Sequence, residues 1–248
     1  MKSVVITGGN KGIGHEITKC FVENGFTVII GSRTFQGIED FDPKKVFHQE
    51  MDVRDEGAHR RLALRALEIT GKLDVWINNA GVSAWKPIAR IDEVFFDELV
   101  GINLKGAFWG CKAAAEVMDG VGGSIINISS IAGKRGSSNN SMYCATKFAM
   151  NGLTQSLAKE LGRGGIRVNA LCPVLVKTEG LMKALSADFS PANGDPEGFL
   201  SSFLEANSAT GMLPTGQDVA SMAVYLSSPQ NHAITGQCIN VDCGVFPQ

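Results

Sequence analysis

Long apolar runs are absent from this sequence. No uninterrupted stretch approaches the ~18 residues a membrane helix needs, so no span of a bilayer is expected. Lys2 is followed only by Val4-Val5-Ile6 before a glycine-rich turn, too short an apolar segment for a secretory signal. Cysteine pairs are also missing. The six cysteines, at 20, 111, 144, 172, 238 and 243, form no C-x-x-C and no Cys/His cluster with zinc spacing. No metal is expected, and scattered thiols of this kind suit a reducing cytoplasm, most of them as small core residues. An excess of one charge is absent as well: 23 Lys and Arg against 25 Asp and Glu give a net −2. Neither a nucleic-acid surface nor a polybasic membrane patch is expected from that balance. No internal repeat occurs, and no linker marks a second domain. What remains is 248 residues, 44% hydrophobic, enough for one domain with a core needing neither disulfide nor metal.

Short Val- and Ile-rich runs alternate with helix-period segments from end to end. The runs at Ser3–Thr7, Thr27–Gly31, Val46–Met51, Leu73–Asn78, Gly123–Ser129, Ile166–Leu171 and Gln237–Val241 do not alternate with polar residues. Such runs suit parallel strands covered on both faces. In the first helical pattern Ile13, Ile17, Phe21 and Val22 share a face, and Gly25 stands where a C-terminal glycine belongs. The expectation is an α/β fold: a doubly wound parallel sheet of about seven strands with right-handed crossovers and helices on both faces. Two segments break the rhythm. Residues 32–45 are short for a crossover helix and predict a loop or a single turn. Residues 179–213, with Pro191 and Pro196 between partly apolar stretches, predict a lid over a substrate site.

Thr7-Gly8-Gly9-Asn10-Lys11-Gly12-Ile13-Gly14 follows the first strand and opens the first helix. Glycines there allow a tight turn and close approach of a diphosphate, which the helix N-terminus then attracts. Asn78-Asn79-Ala80-Gly81 ends the fourth strand, Asn103 lies in the next helical segment, and Ser130 stands 13 residues before Tyr143, itself followed by Lys147. Taken together in this order, these motifs resemble the short-chain dehydrogenase/reductase family, across essentially the whole chain. The resemblance implies a Rossmann-type dinucleotide fold and an NAD(P)-dependent oxidoreductase interconverting a secondary alcohol and a carbonyl.

At the ribose-reading position, ending the second strand, a carboxylate is lacking. Ser32 stands where NAD-dependent relatives carry Asp, and Arg33 follows with a planar fork suited to a phosphate. Lys11 adds a second cation. NADP(H) is therefore expected over NAD(H), with Glu39 and Asp40 close enough in sequence to leave Arg33 and Lys11 an alternative as solvated surface charges. Asp52-Val53 resembles the family's adenine contact. Gly8, Asn10, Lys11, Gly12, Ile13, Gly14, Ser32, Arg33, Asp52, Val53, Asn79, Ala80 and Gly81 are the expected cofactor contacts on this side. Pro173, Val176 and Thr178 resemble the stretch that meets the nicotinamide carboxamide.

Tyr143 and Lys147 are one helical turn apart on one face. A free phenol titrates near ~10, and a neighbouring ammonium is expected to lower it into a useful range. The resemblance implies that Tyr143 exchanges the proton of the substrate oxygen, that Ser130 holds that oxygen, that Lys147 also binds the nicotinamide ribose, and that Asn103 anchors a water chain leading to Lys147. Ser129 is a neighbour, but the 13-residue gap favours Ser130. Two positions depart from the family's pattern: Val174 and Cys243 replace usual glycines. Chain ends of this type imply a homo-oligomer, dimer or tetramer. His15, His48, His59 and His232 have no motif around them and are expected as surface or packing residues. Leu181, Met182, Leu185, Phe189, Phe199 and Phe203 suggest a partly apolar substrate pocket, or simply lid packing. Two other readings compete: a dinucleotide-binding sensor without catalysis, which has no need of a phenol beside an ammonium, and a sugar-nucleotide epimerase, for which the chain lacks a large C-terminal lobe.

Overall fold

The computed structural model describes residues 2–39 and 41–247; Asp40 lies outside them. Seven strands form one parallel sheet in the order β3-β2-β1-β4-β5-β6-β7. They are β1 (Lys2–Thr7), β2 (Phe26–Ser32), β3 (Val46–Glu50), β4 (Val75–Asn78), β5 (Gly123–Ile128), β6 (Ile166–Pro173) and β7 (Cys238–Val241). All seven expected strands are present. β6 runs two residues past its expected end because its pairing with β7 continues to Pro173 opposite Val241. A proline is tolerated there, at a strand terminus.

The pleat sends alternate residues to two cores. On one face Val4, Ile6, Val28 and Ile30 pack with Ile17 and Phe21 of α1 (Gly12–Glu23) and Val219 and Ala223 of α8 (Gly216–Ser227). On the other, Val5, Ile29, Trp76 and Ile125 pack with Leu62 of α2 (Glu56–Thr70), Ala114 of α4 (Gly106–Met118) and Ala158 of α5 (Ser141–Leu161). Both faces are dry, which is why the strands read as continuous apolar runs. Gly25 takes φ 80° just past α1, as expected of it.

Two features of the chain path position the site. The chain leaves β1 toward β2 and β3, then returns to the other side as β4, so the strand order reverses between β1 and β4. A crevice at the carboxyl ends of such strands is where open α/β sheets bind ligands. The helix after β4 is not uniform: α3 (Glu93–Leu99) passes through a wide π turn, Val100–Lys105, before α4. Asn103 lies in that turn. The expected loop at 32–45 contains no helix among its described residues. Segment 179–213 carries α6 (Glu179–Leu185) and α7 (Pro196–Asn207). Among the described residues no helix is long and apolar enough to cross a membrane, no group of side chains forms a metal site, and all six cysteines are free.

Candidate active site

The glycine turn sits at the carboxyl end of β1. Gly8 and Gly12 take φ 65° and 53°, which a side chain would strain. A Cβ at Gly14 would collide with the Gly8 carbonyl, so the turn is as tight as glycine allows. The helix it opens differs from five of the others. α2, α3, α6, α7 and α8 are capped by Asp55, Asp92, Thr178, Asp195 and Thr215 respectively. At α1 the N-cap position is Lys11, with no side-chain bond and no acidic residue in the first turn. The first-turn N–H groups of Gly12, Ile13 and Gly14 therefore have no capping side chain, beside an exposed Lys11, an arrangement that fits a diphosphate.

The turn is braced from beneath. Asn79 donates its Nδ2 to the carbonyls of Thr7 and Gly8, both at 3.0 Å. The Thr7 hydroxyl receives the N–H groups of Asn79 and Ala80, both at 3.1 Å. Asn10 is buried and turned away from the turn's mouth, donating to the Gln36 carbonyl at 2.9 Å. Asn10 and Asn79 thus shape the site through the backbone. At the end of β2, Ser32 is buried while Arg33 is exposed. Glu39 accepts the Gly37 N–H at 2.6 Å, so its carboxylate closes its own loop. Asp52 is bound to Arg54, with Oδ2 to Nη2 at 2.6 Å. The Arg54 side chain holds the Asp52 carboxyl below its ordinary value, with the charge of Arg33 adding a smaller pull. The Val53 carbonyl accepts from His59 Nε2 at 2.8 Å.

Across the crevice the catalytic candidates converge. Asn103 is fully buried and pairs with the backbone just after Gly81: Oδ1 accepts the Val82 N–H at 2.8 Å and Nδ2 donates to the Val82 carbonyl at 2.9 Å. Lys147, 4% exposed, donates Nζ to the Ile128 carbonyl at 2.8 Å and lies 5.7 Å from the centre of the Tyr143 ring. Burial pushes its ammonium down to about 8. Ser130 accepts the Ala132 N–H at 3.1 Å, and its hydroxyl bonds the Tyr143 phenol. Ser129 instead turns inward, its Oγ on the Lys147 carbonyl at 3.4 Å. One expectation needs correcting. The ammonium does not bring the phenol down: burial of the hydroxyl pushes Tyr143 up to about 12, and the Ser130 bond only partly opposes it. Desolvation outweighs the other influences at this depth, for the phenol and for the amine.

At the exit of β6, Thr178 caps α6 through the Leu181 N–H at 3.1 Å and lies over the glycine turn, its methyl 3.5 Å from where a Gly12 Cβ would sit. Pro173 ends the strand, and Val176 is buried. Val174 needs no positive φ, so it fits without strain and packs with Ile131 and Val245. Cys243 does take φ 53°, the conformation for which glycine is usual. Segment 179–213 has a small core of Leu185, Ala192 and Leu200, joined by Leu181, Met182, Phe199 and Trp85. Phe203 joins the Val174 cluster, and Phe189 is 39% exposed. Most of those apolar side chains therefore pack the segment onto the body. Sequence reasoning named Thr7 only as part of the turn, without its bracing hydroxyl, and missed the backbone of Val82 and Ile128. Carbonyl and N–H partners leave no trace in side-chain identity.

The family described as short chain dehydrogenase matches residues 2–188. The L-2,3-butanediol dehydrogenase of Corynebacterium glutamicum is 34% identical, over 99% of this chain and 98% of its own. The diacetyl reductase [(S)-acetoin forming] of Staphylococcus aureus is 33% identical, over 98% and 97%. A solved structure titled ElxO with NADP bound superimposes with a TM-score of 0.88 at 32% identity, covering 100% of this chain and 99% of that one.

Proposed function

The chain belongs to the short-chain dehydrogenase family, an NAD(P)-dependent oxidoreductase of alcohol and ketone groups, and from that premise we propose that it uses NADP(H) with Tyr143 as general acid/base on a secondary alcohol or ketone. The reading rests on one observation above the rest: Ser130, just after β5, bonds the Tyr143 phenol, and Lys147 lies one turn along the same helix with its ammonium 5.7 Å from the ring centre.

In this reading the bound nicotinamide supplies or accepts the hydride. The uncapped N-terminus of α1 with Gly8, Gly12, Ile13 and Gly14 holds the diphosphate. Arg33 and Lys11 meet the 2′-phosphate, Asp52 and Val53 the adenine, Asn79, Ala80 and Gly81 the adjoining ribose, and Pro173, Val176 and Thr178 the carboxamide. Tyr143 gives its proton to the carbonyl oxygen during reduction and takes it back during oxidation. Its phenol, neutral well above physiological pH, is in the form reduction needs. Ser130 donates to the same oxygen and stabilises its developing charge. Lys147 holds the ribose and passes protons, with Asn103 placing the water chain. Residues 179–213 form the lid, and residues 1–248 one domain. Exposed Phe108 on α4 and Phe148 on α5 support a homo-oligomer, a dimer or tetramer, and the free cysteines support a cytoplasmic site. A cofactor-binding sensor on this fold is the second reading; a buried ammonium beside a phenol speaks against it, being costly without chemistry to perform.

The test is a panel of diols, hydroxyketones and diketones, beginning with the compounds that the two relatives are named for, followed with both cofactors. Tyr143→Phe should lower turnover about 10²- to 10⁴-fold while cofactor affinity holds. An active Tyr143→Phe would remove the proton-donor assignment, and a preference for NADH would remove the reading of Arg33.

A further inference from the structure

We propose that His48, on β3, is a positioning residue through which the chain reads the 2′-phosphate of its cofactor; this rests on the NADP(H) reading above. Register pairs Ile30 with His48, so Ser32, two residues further along β2, projects to the same face as the imidazole. Ser32 Oγ and His48 Nε2 are 2.9 Å apart. The same hydroxyl bonds the Thr34 carbonyl at 2.7 Å. A hydroxyl carries one hydrogen, and the carbonyl can only accept it. His48 Nε2 must then be the donor, and Ser32 is held between the two with no hydrogen left to offer a phosphate.

Ser32 therefore works from below. Its bond to the Thr34 carbonyl folds the chain back directly after Arg33. The Phe35 ring meets His48 edge-on, with centres 5.5 Å apart, and Asn10 donates to the Gln36 carbonyl at 2.9 Å. Three anchors thus hold residues 33–36, and exposed Arg33 rises from a loop already ordered. An ordered loop binds more tightly because it has less freedom to lose when the ligand arrives. Without the imidazole donor, Ser32 keeps only its bond to the Thr34 carbonyl, and the placement of Arg33 loosens. The effect falls on a ligand carrying a 2′-phosphate and spares one with a bare 2′-hydroxyl.

The experiment titrates 2′,5′-ADP and 5′-AMP against the full chain, followed by calorimetry, for the wild type, His48→Phe and His48→Gln. The Phe variant keeps a ring against Phe35 but removes the donor. The Gln amide nitrogen reaches about as far as Nε2. His48→Phe should bind 2′,5′-ADP about five- to tenfold more weakly, as for one lost positioning bond, with 5′-AMP unchanged. His48→Gln should restore most of the loss. Equal weakening toward both ligands, no weakening at all, or failure of the Gln variant to restore affinity overturns the assignment. A wild type that binds both ligands alike overturns the NADP(H) reading instead, and does so before any variant is compared.

Discussion

The two sides of the crevice are built on opposite plans. On the β1–β2 side the charged groups are exposed, Lys11 and Arg33, beside the uncapped start of α1 at exposed Gly12. Their supports, Thr7, Asn10, Asn79 and Ser32, are buried or half-buried and act on backbone carbonyls and N–H groups. On the β5–α5 side the candidate groups are themselves drawn inward, Lys147 buried and Ser130 and Tyr143 half-buried, and desolvation moves both Tyr143 and Lys147 away from their ordinary values. An anion site needs charge at its mouth and tolerates water. A proton-transfer site needs groups whose protonation the protein controls, and desolvation is the strongest means of control available to it.

The largest test of this contrast is Lys147→Met. Turnover should fall at least 10²-fold. Stability should rise, because the folded state disfavours a charged Lys147. Its pKa drops from 10.5 to about 8, a penalty of up to about 3 kcal/mol at neutral pH. An unpaired Ile128 carbonyl returns about 1–3 kcal/mol of that, leaving a net gain of about 1 kcal/mol, visible as a higher melting temperature. A less stable Lys147→Met would mean that the ammonium is better solvated than its surroundings indicate. Between about 8 and 10.5 the unfolded chain binds the extra proton, so wild-type stability should rise with pH across that window, and the Met variant should not show the rise. Reduction by the wild type should decline as pH passes about 8 and the ammonium is lost.

Next in size, Arg33→Ala should weaken NADPH binding about 10- to 100-fold, the worth of a charge-assisted contact, and turn cofactor preference toward NADH. Equal losses for both cofactors would place Arg33 on the adenine alone. The smallest effect belongs to the floor beneath Val53. His59 is fully buried, its Nδ1 has no partner, and burial lowers its pKa. Protonation therefore favours the unfolded chain, and stability should fall as pH drops below ~6.5, the value for a free imidazole. Urea midpoints at pH 7 and pH 5, compared with those of His59→Gln, would show it; identical slopes would mean that His59 is not the titrating group.

Legibility followed the same division. The glycine turn, the missing carboxylate after β2, and the Ser130, Tyr143 and Lys147 spacing are local patterns, and each was readable because the chemistry depends on which side chain stands where. The strands were readable because both faces of the sheet are dry. The π turn around Asn103 was not, since it differs from an α-helix only in hydrogen bonds that reach one residue further and its side chains carry no special signature. Nor was the role of the apolar residues at 179–213, where lining a pocket and packing a lid demand the same hydrophobicity.

By itself, the sequence determined the layered α/β architecture and the glycine turn and singled out Ser130, Tyr143 and Lys147 as candidates, because periodicity and motif spacing are written in residue order. Only the tertiary structure decided how deeply Tyr143 and Lys147 are buried, that Ser129 turns inward while Ser130 faces Tyr143, and that His48 reaches Ser32 from a neighbouring strand. Those outcomes depend on desolvation and on contacts between segments far apart in the chain, and both arise only when the sheet has formed.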